Sequence, residues 1–143
     1  MALLVFLSAV AGSSVILTSW ASAIGLIVFD PSAPGVAPRT MIVAHTSAAV
    51  VGVAFAQLSG HAHWAIGPSV GMALLLGLRL KCLHAPAIAN AVIPIVTPTP
   101  PFAFLAAAVG GCLVLTQLPG IVRSIRALRT SVEKARAVLD SAV

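Results

Sequence analysis

One apolar segment limits how this chain can fold more than any other. It is the piece of about 15 residues from Cys82 to Val96, bounded by Arg79 and Lys81 before it and by Thr97-Pro98-Thr99-Pro100-Pro101 after it. At 1.5 Å per residue, so short a helix falls well below the ~30 Å of a bilayer's hydrocarbon core. Pro86 and Pro94 lie inside it. Each removes an amide donor and disturbs the turn before it. A short, proline-interrupted segment among full-length spans is the pattern by which intramembrane transport sites are recognised in sequence. A kinked packing helix gives the same pattern, with equal weight on chemistry alone.

Composition places the segment in a membrane. Charged residues make up 8% of the 143-residue chain and hydrophobic residues 59%, with a mean hydropathy of +1.10. A soluble domain carries roughly 25% charged residues. The expected fold is therefore an all-α membrane protein, a compact bundle of about four full transmembrane helices plus two short, broken intramembrane segments. A C-terminal amphipathic helix should follow. The expected domains are a transmembrane unit over 1–120 and a tail helix over 121–143.

Charge excludes several function classes. The net charge is +5, but five of the cations (Arg123, Arg126, Arg129, Lys134 and Arg136) fall in the tail and the others at span ends. That distribution fits membrane topology better than a nucleic-acid footprint, so no nucleic-acid partner is expected. The carboxylates are Asp30, Glu133 and Asp140, which offers no paired general acid and base; the chain reads as a non-enzyme. His61 and His63 have no Cys, Asp or Glu nearby to complete a metal site. No metal and no cofactor are expected. Cys82 and Cys112 sit in apolar runs and read as small buried hydrophobes.

In chain order, residues 2–29 are uncharged and begin without the basic region of a signal peptide, so they read as membrane structure. A first span near 2–18, a break, and a short segment near 20–29 fit best. A proline-rich loop covers 30–39, and full spans are expected near 40–59, 64–80 and 102–120. Arg39, Arg79 and Lys81 are topology anchors or gather substrate. With the tail they should lie in the cytoplasm, provided the segment 82–96 crosses as a broken path. Expected localisation is a bacterial inner membrane with a cytoplasmic C-terminus.

The tail repeats apolar residues at Ile121, Ile125, Leu128, Val132, Ala135, Leu139 and Ala142, at alternating spacings of four and three. Arg129–Glu133 and Arg136–Asp140 stand at i,i+4. The helix should lie on anionic lipid; a coiled coil holding a homo-oligomer or membrane complex together is the alternative. Residues Ala21–Val28 also resemble Ala89–Val96. Each follows a span and precedes a proline loop and another span, the outline of an inverted repeat.

The run Leu83-His84-Ala85-Pro86-Ala87-Ile88-Ala89-Asn90-Ala91-Val92-Ile93-Pro94 resembles the signature of the HPP family of small integral membrane proteins, L-H-P-P-A-G-A-T-A-L-I-P. Pro38-Arg39 followed by His45, Ala49 and Gly52 is similar to that family's P-R-N-x-x-x-G-H-x-x-S-A-x-x-G, and Ser19 to Phe29 to its S-F-G-A-S-A-V-L-L-F. The resemblance implies a compact bundle and the nitrite transport proposed for plastid and cyanobacterial relatives. Ala85, Ile88 and Asn90 depart from the motif, and Ile88 in place of Gly removes a close approach to the backbone.

The residues that would hold a small anion are Ser19, Ser22, His45, His84, Pro86 and Asn90. If short helices began near Trp20 and Ala87 and met at the midplane, their first amides would add donors. The alternative function is a non-transporting scaffold or accessory subunit.

Overall fold

The computed structural model describes residues 15–141 together with Leu3, Val5, Phe6 and Ala9. All regular structure among them is helical. The α-helices are α1 (Ile16–Phe29), α2 (Pro38–Ser59), α3 (Ile66–Arg79), α4 (Ile93–Val96), α5 (Pro101–Leu115) and α6 (Leu118–Ser141). Tighter 3-10 stretches cover Pro34–Val36, His63–Ala65 and Ala85–Ala91. By length and apolar composition, two helical segments among the described residues suffice to cross a membrane: Pro38–Ser59, and Pro101 to Asp140 taken through its turn.

Helix α2 sets the thickness of the bundle, because its 22 residues span about 33 Å. Pro38 starts it at a position where the missing amide costs nothing, and Gly60, at φ 59°, ends it in the left-handed conformation that glycine tolerates. The broken segment runs the same distance. At the Pro38 end, a Cβ on Gly35 would lie 3.7 Å from the Leu83 carbonyl. At the other end, Nδ1–H of His61 donates to the Pro94 carbonyl at 2.9 Å. Between these ends come extended residues Cys82–His84, the 3-10 stretch and the single turn α4. Rises of ~3.3, 2.0 and 1.5 Å per residue bring that path to about 30 Å. Cys82 to Pro86 supply part of this broken path beside α2.

The core gathers where α1, α2 and α5 meet. Ile16, Trp20, Ala23 and Ile27 recur at one face of α1 and are fully buried against Met41, Ala49, Phe104, Ala108 and Cys112. Glycines bring the elements together. A Cβ on Gly52 would strike the Asn90 carbonyl and come within 2.9 Å of Ala91 Cα, so α2 meets the broken segment backbone to backbone. On α5, a Cβ on Gly111 would run into the Trp20 ring, with Nε1 at 2.8 Å. The outer faces of α2, α3 and α5 carry Val50, Leu58, Leu74, Leu75, Leu78, Phe102 and Leu113, all exposed, as an apolar solvent would favour.

Three expectations differ from this fold. The break after residue 18 is absent: Thr18, Ser19 and Trp20 lie within continuous α1, whose buried face needs Ile16 and Trp20 on one stripe. The first expected span, 2–18, falls largely outside the described residues. The last span ends at Leu115 rather than near 120, at a turn over Thr116 and Gln117 where the Thr116 hydroxyl donates back to the Leu113 carbonyl at 2.7 Å. Of the two tail pairs, Arg129 and Glu133 meet at 2.9 Å, whereas Arg136 and Asp140 form no ion pair.

The tail has a role that its periodicity does not suggest. Arg123 Nη1 donates to the Pro31 carbonyl at 3.1 Å, and Arg126 Nη2 donates to the carbonyls of Val28 and Phe29. These carbonyls close the C-terminus of α1, where the helix dipole favours a cation. Arg126→Ala is expected to loosen α6 from α1, read as greater mobility of a spin label at Ser131, while Arg136→Ala leaves that mobility unchanged. Gly52→Ala is expected to destabilise the fold by about 1–3 kcal/mol through overpacking. Gly71→Ala, where a Cβ meets nothing within 4 Å, should be neutral or stabilising. Thermal unfolding in detergent compares the two.

Candidate functional site

The broken segment cannot satisfy its own main chain, and the site grows out of that deficit. Ala91's carbonyl would be met in a 3-10 turn by the amide of residue 94, but Pro94 has none. Pro94's carbonyl would be met in an α-turn by residue 98, again a proline. Side chains from outside the segment supply the missing donors. The Ser69 hydroxyl of α3 donates to the Ala91 carbonyl at 2.7 Å, and His61 donates to Pro94. The Ser19 hydroxyl of α1 donates to the Pro86 carbonyl at 2.8 Å. Without the Ser69 and His61 bonds the Ala91 and Pro94 carbonyls would stand unpaired in an apolar interior.

Midway along this segment three polar side chains meet. Asn90 and His45 are 0% exposed and His84 1%. Asn90 Nδ2 donates to His45 Nδ1 at 3.1 Å and to the His45 carbonyl at 3.4 Å. The second contact fixes the orientation of the amide, since a carbonyl only accepts. His45 Nδ1 is then the acceptor, and the ring proton resides on Nε2. The His84 ring lies against that of His45, centroids 5.2 Å apart and planes tilted by 48°.

Several atoms of this cluster have no partner. His45 Nε2, Asn90 Oδ1 and both ring nitrogens of His84 are buried without a hydrogen bond of normal geometry, although the Gly35 backbone approaches the His84 ring. Buried polar atoms are nearly always satisfied, so a cluster of four calls for a ligand or ordered water. The arrangement offers donors and acceptors and no formal charge.

From the Pro38 end inward the order is Gly35, His84, His45 and Asn90, then Ser69 with Ala91, then His61 with Pro94. Polar groups thus follow the broken segment from one end of α2 to the other. The loop that carries Gly35 also walls a cavity of about 210 Å³. Pro31, Pro34, Val36, Thr116, Pro119 and Arg123 are among its lining residues.

The expected site residues divide clearly. His45, His84 and Asn90 come together, and Ser19 joins them through the half-buried Pro86. Ser22 does not: it is exposed and donates to the Thr18 carbonyl at 2.8 Å within its own helix. Arg39, Arg79 and Lys81 are exposed at the end where Gly35 lies. Lys81, at φ 53°, closes α3 in a left-handed cap, with Cys82 N–H reaching the Gly77 carbonyl at 2.9 Å. The facing helix N-termini expected near Trp20 and Ala87 are not formed. Trp20 lies inside α1, and the segment 85–91 is a 3-10 stretch without an α-helical first turn.

Ser69 and His61 were not singled out as site residues. Their signal was the prolines: Pro94 and Pro98 leave carbonyls that some hydroxyl or imidazole must meet. No group of three or more His, Cys, Asp or Glu side chains suited to a metal occurs among the described residues.

Together, the apolar exterior, the helices and the interior broken backbone define an α-helical integral membrane protein. A family model described as "HPP, transmembrane region" matches residues 1–130. The chain belongs to the HPP family. Neither a curated protein nor a solved structure gives a match.

If the side-chain donors hold the broken segment in place, removing one leaves a buried carbonyl unpaired. Ser69→Ala should cost about 1–3 kcal/mol, with Ser69→Thr recovering much of it. Thermal unfolding in detergent measures both, and Ser22→Ala should change nothing.

Proposed function

We propose that this HPP-family protein is a small membrane transporter or channel for a small anion, nitrite being the candidate. The observation that carries this reading is the cluster of unpartnered buried polar atoms on His45, His84 and Asn90 beside a broken crossing. Irregular backbone at membrane depth is tolerated where it is buried in protein or lines a path. Intramembrane ionisable groups are functional by default.

In this reading α2, α3, the segment 82–96 and α5 are crossings, and the remaining full span of the expected four falls on residues outside those described. The end bearing Arg39, Arg79, Lys81 and Arg123 is cytoplasmic, with the C-terminus on that side, in a bacterial inner membrane. The turn at 60–63 and the loop at 97–100 carry no Lys or Arg and face outward.

An inverted repeat belongs to this reading. Its first short segment ends at Phe29, beside the basic end, and its second ends near Pro94, at the opposite end. The spans that follow, α2 and α5, start from opposite ends. Each then receives the other copy's short segment at a glycine, Gly52 for residues 90–91 and Gly111 for Trp20.

One observation favours a second reading. Helix α6 is almost wholly exposed, and Ile121, Ile125, Leu128, Val132 and Leu139 form an unoccupied apolar stripe. A scaffold or accessory subunit would assemble a homo-oligomer or membrane complex through that stripe. Truncation before Ile121 separates the two, since assembly lost with flux unchanged favours a self-contained transporter.

Uptake into proteoliposomes tests the principal reading. Nitrite should enter well above protein-free liposomes, and His84→Ala and Asn90→Leu should each reduce entry by about tenfold or more while the protein remains folded. Entry unaffected by either change would place the path elsewhere. No entry of nitrite, nitrate, chloride or formate would leave the scaffold reading ahead.

A further inference from the structure

Resting on that transport reading, we infer that the anion does not cross alone: the His45–His84 pair takes up one proton with each anion, so that site and passenger together are neutral. The first support is the absence of a buried countercharge. Every Lys, Arg, Asp and Glu among the described residues is exposed. A bare anion beside Asn90 would have only neutral dipoles around it, and an uncompensated charge in an apolar interior is strongly disfavoured.

The second support is the arrangement of donors and acceptors. Asn90 holds Nδ1 of His45 as an acceptor, which leaves a single proton, on the unpartnered Nε2. His84 in its neutral form adds one donor and one acceptor, with the Gly35 backbone approaching the ring. A proton arriving at His84 converts its acceptor into a second donor. An anion would then have imidazolium and imidazole N–H groups to bind, and the imidazolium would supply the countercharge.

The third support is the spacing. With centroids 5.2 Å apart, two imidazolium rings in a low-dielectric interior would repel strongly, so the pair holds one proton rather than two. The elements packed around the pair bring no competing charge. α1 contributes Ser19 there and α3 contributes Ser69. Arg39 and Arg79 sit at the exposed ends of α2 and α3, and Asp30 is exposed in the loop. The other buried titratable side chains are Cys82 and Cys112.

The cycle balances. One proton and one anion enter together, both leave at the far end, and the pair returns to its neutral form. No bond within either passenger is broken.

The experiment follows protons and charge separately in proteoliposomes carrying a pH-sensitive dye inside, with potassium and valinomycin setting the membrane potential. Protein-free liposomes run in parallel give the passive leak of the free acid, which is subtracted. One proton should enter with each nitrite, and the initial rate should change by less than about twofold between imposed potentials of either sign. His45→Gln and His84→Gln should abolish the coupled proton signal, and the parent's stoichiometry decides the matter even where a variant fails to fold. Nitrite entry that carries charge, follows the potential and brings no proton would overturn the inference and leave the transport reading standing. No nitrite entry above the protein-free control would overturn both.

Discussion

Main-chain satisfaction without water is the constraint on which the rest of this structure depends. A regular helix settles its own amides and carbonyls, but the stretch Cys82 to Val96 cannot, because Pro86, Pro94 and Pro98 each withhold a donor. Two different elements must therefore come to it, α3 with Ser69 and the turn after α2 with His61, and α1 adds Ser19 at the Pro86 carbonyl. Those bonds fix the height of each element relative to the segment. Gly52 then lets α2 approach until backbone meets backbone. The polar cluster is a consequence of the same geometry, since Asn90 can reach the His45 ring and carbonyl only from a segment held that close.

Much of this was legible in the sequence, and the reason is physical. The runs 40–59 and 64–80 are apolar stretches ended by glycine or cations; α2 lies close to the first, whereas α3, with 14 residues, is shorter than the full span expected there. The short segment was visible because its prolines and length exclude a full helix. His45, His84 and Asn90 were visible as polar groups in apolar surroundings. What the sequence hid are properties of neighbours. Nothing local distinguishes Ser22, which turns outward to Thr18, from Ser19, which turns inward to Pro86. That difference is one of helix phase, set by the stripe Ile16, Trp20, Ala23 and Ile27. The break expected after residue 18 failed for the same reason, because small and hydroxyl residues there look like a linker yet sit comfortably on a helix between buried anchors.

Charge organises the ends as the broken segment organises the middle. At the basic end, Arg126 binds the Val28 and Phe29 carbonyls that α1 leaves open, and Arg123 binds the Pro31 carbonyl just beyond it. A basic cluster beside a membrane is easily read as lipid-directed. Here Arg123 and Arg126 are instead engaged by the carbonyls of Pro31, Val28 and Phe29. The start of the tail is thereby coupled to the transmembrane body, and a motion of α1 would be carried into α6.

The departures from the family's usual motif acquire distinct meanings from their positions. Ile88, standing where the motif has Gly, packs with Ala48, Val51, Ala73 and Ala91 between α2 and α3. It fills a packing contact, and the close backbone approach shown in this chain is at Gly52, a glycine the family motif shares. Ala85 in place of the first Pro is exposed at the mouth of the segment, where no donor is demanded of it. Asn90 in place of Thr is different in kind. Its amide spans both the ring and the carbonyl of His45 and leaves one oxygen unengaged, a combination that a single hydroxyl on a shorter side chain cannot match. Asn90 thereby holds His45 Nδ1 as an acceptor and leaves the ring proton on Nε2.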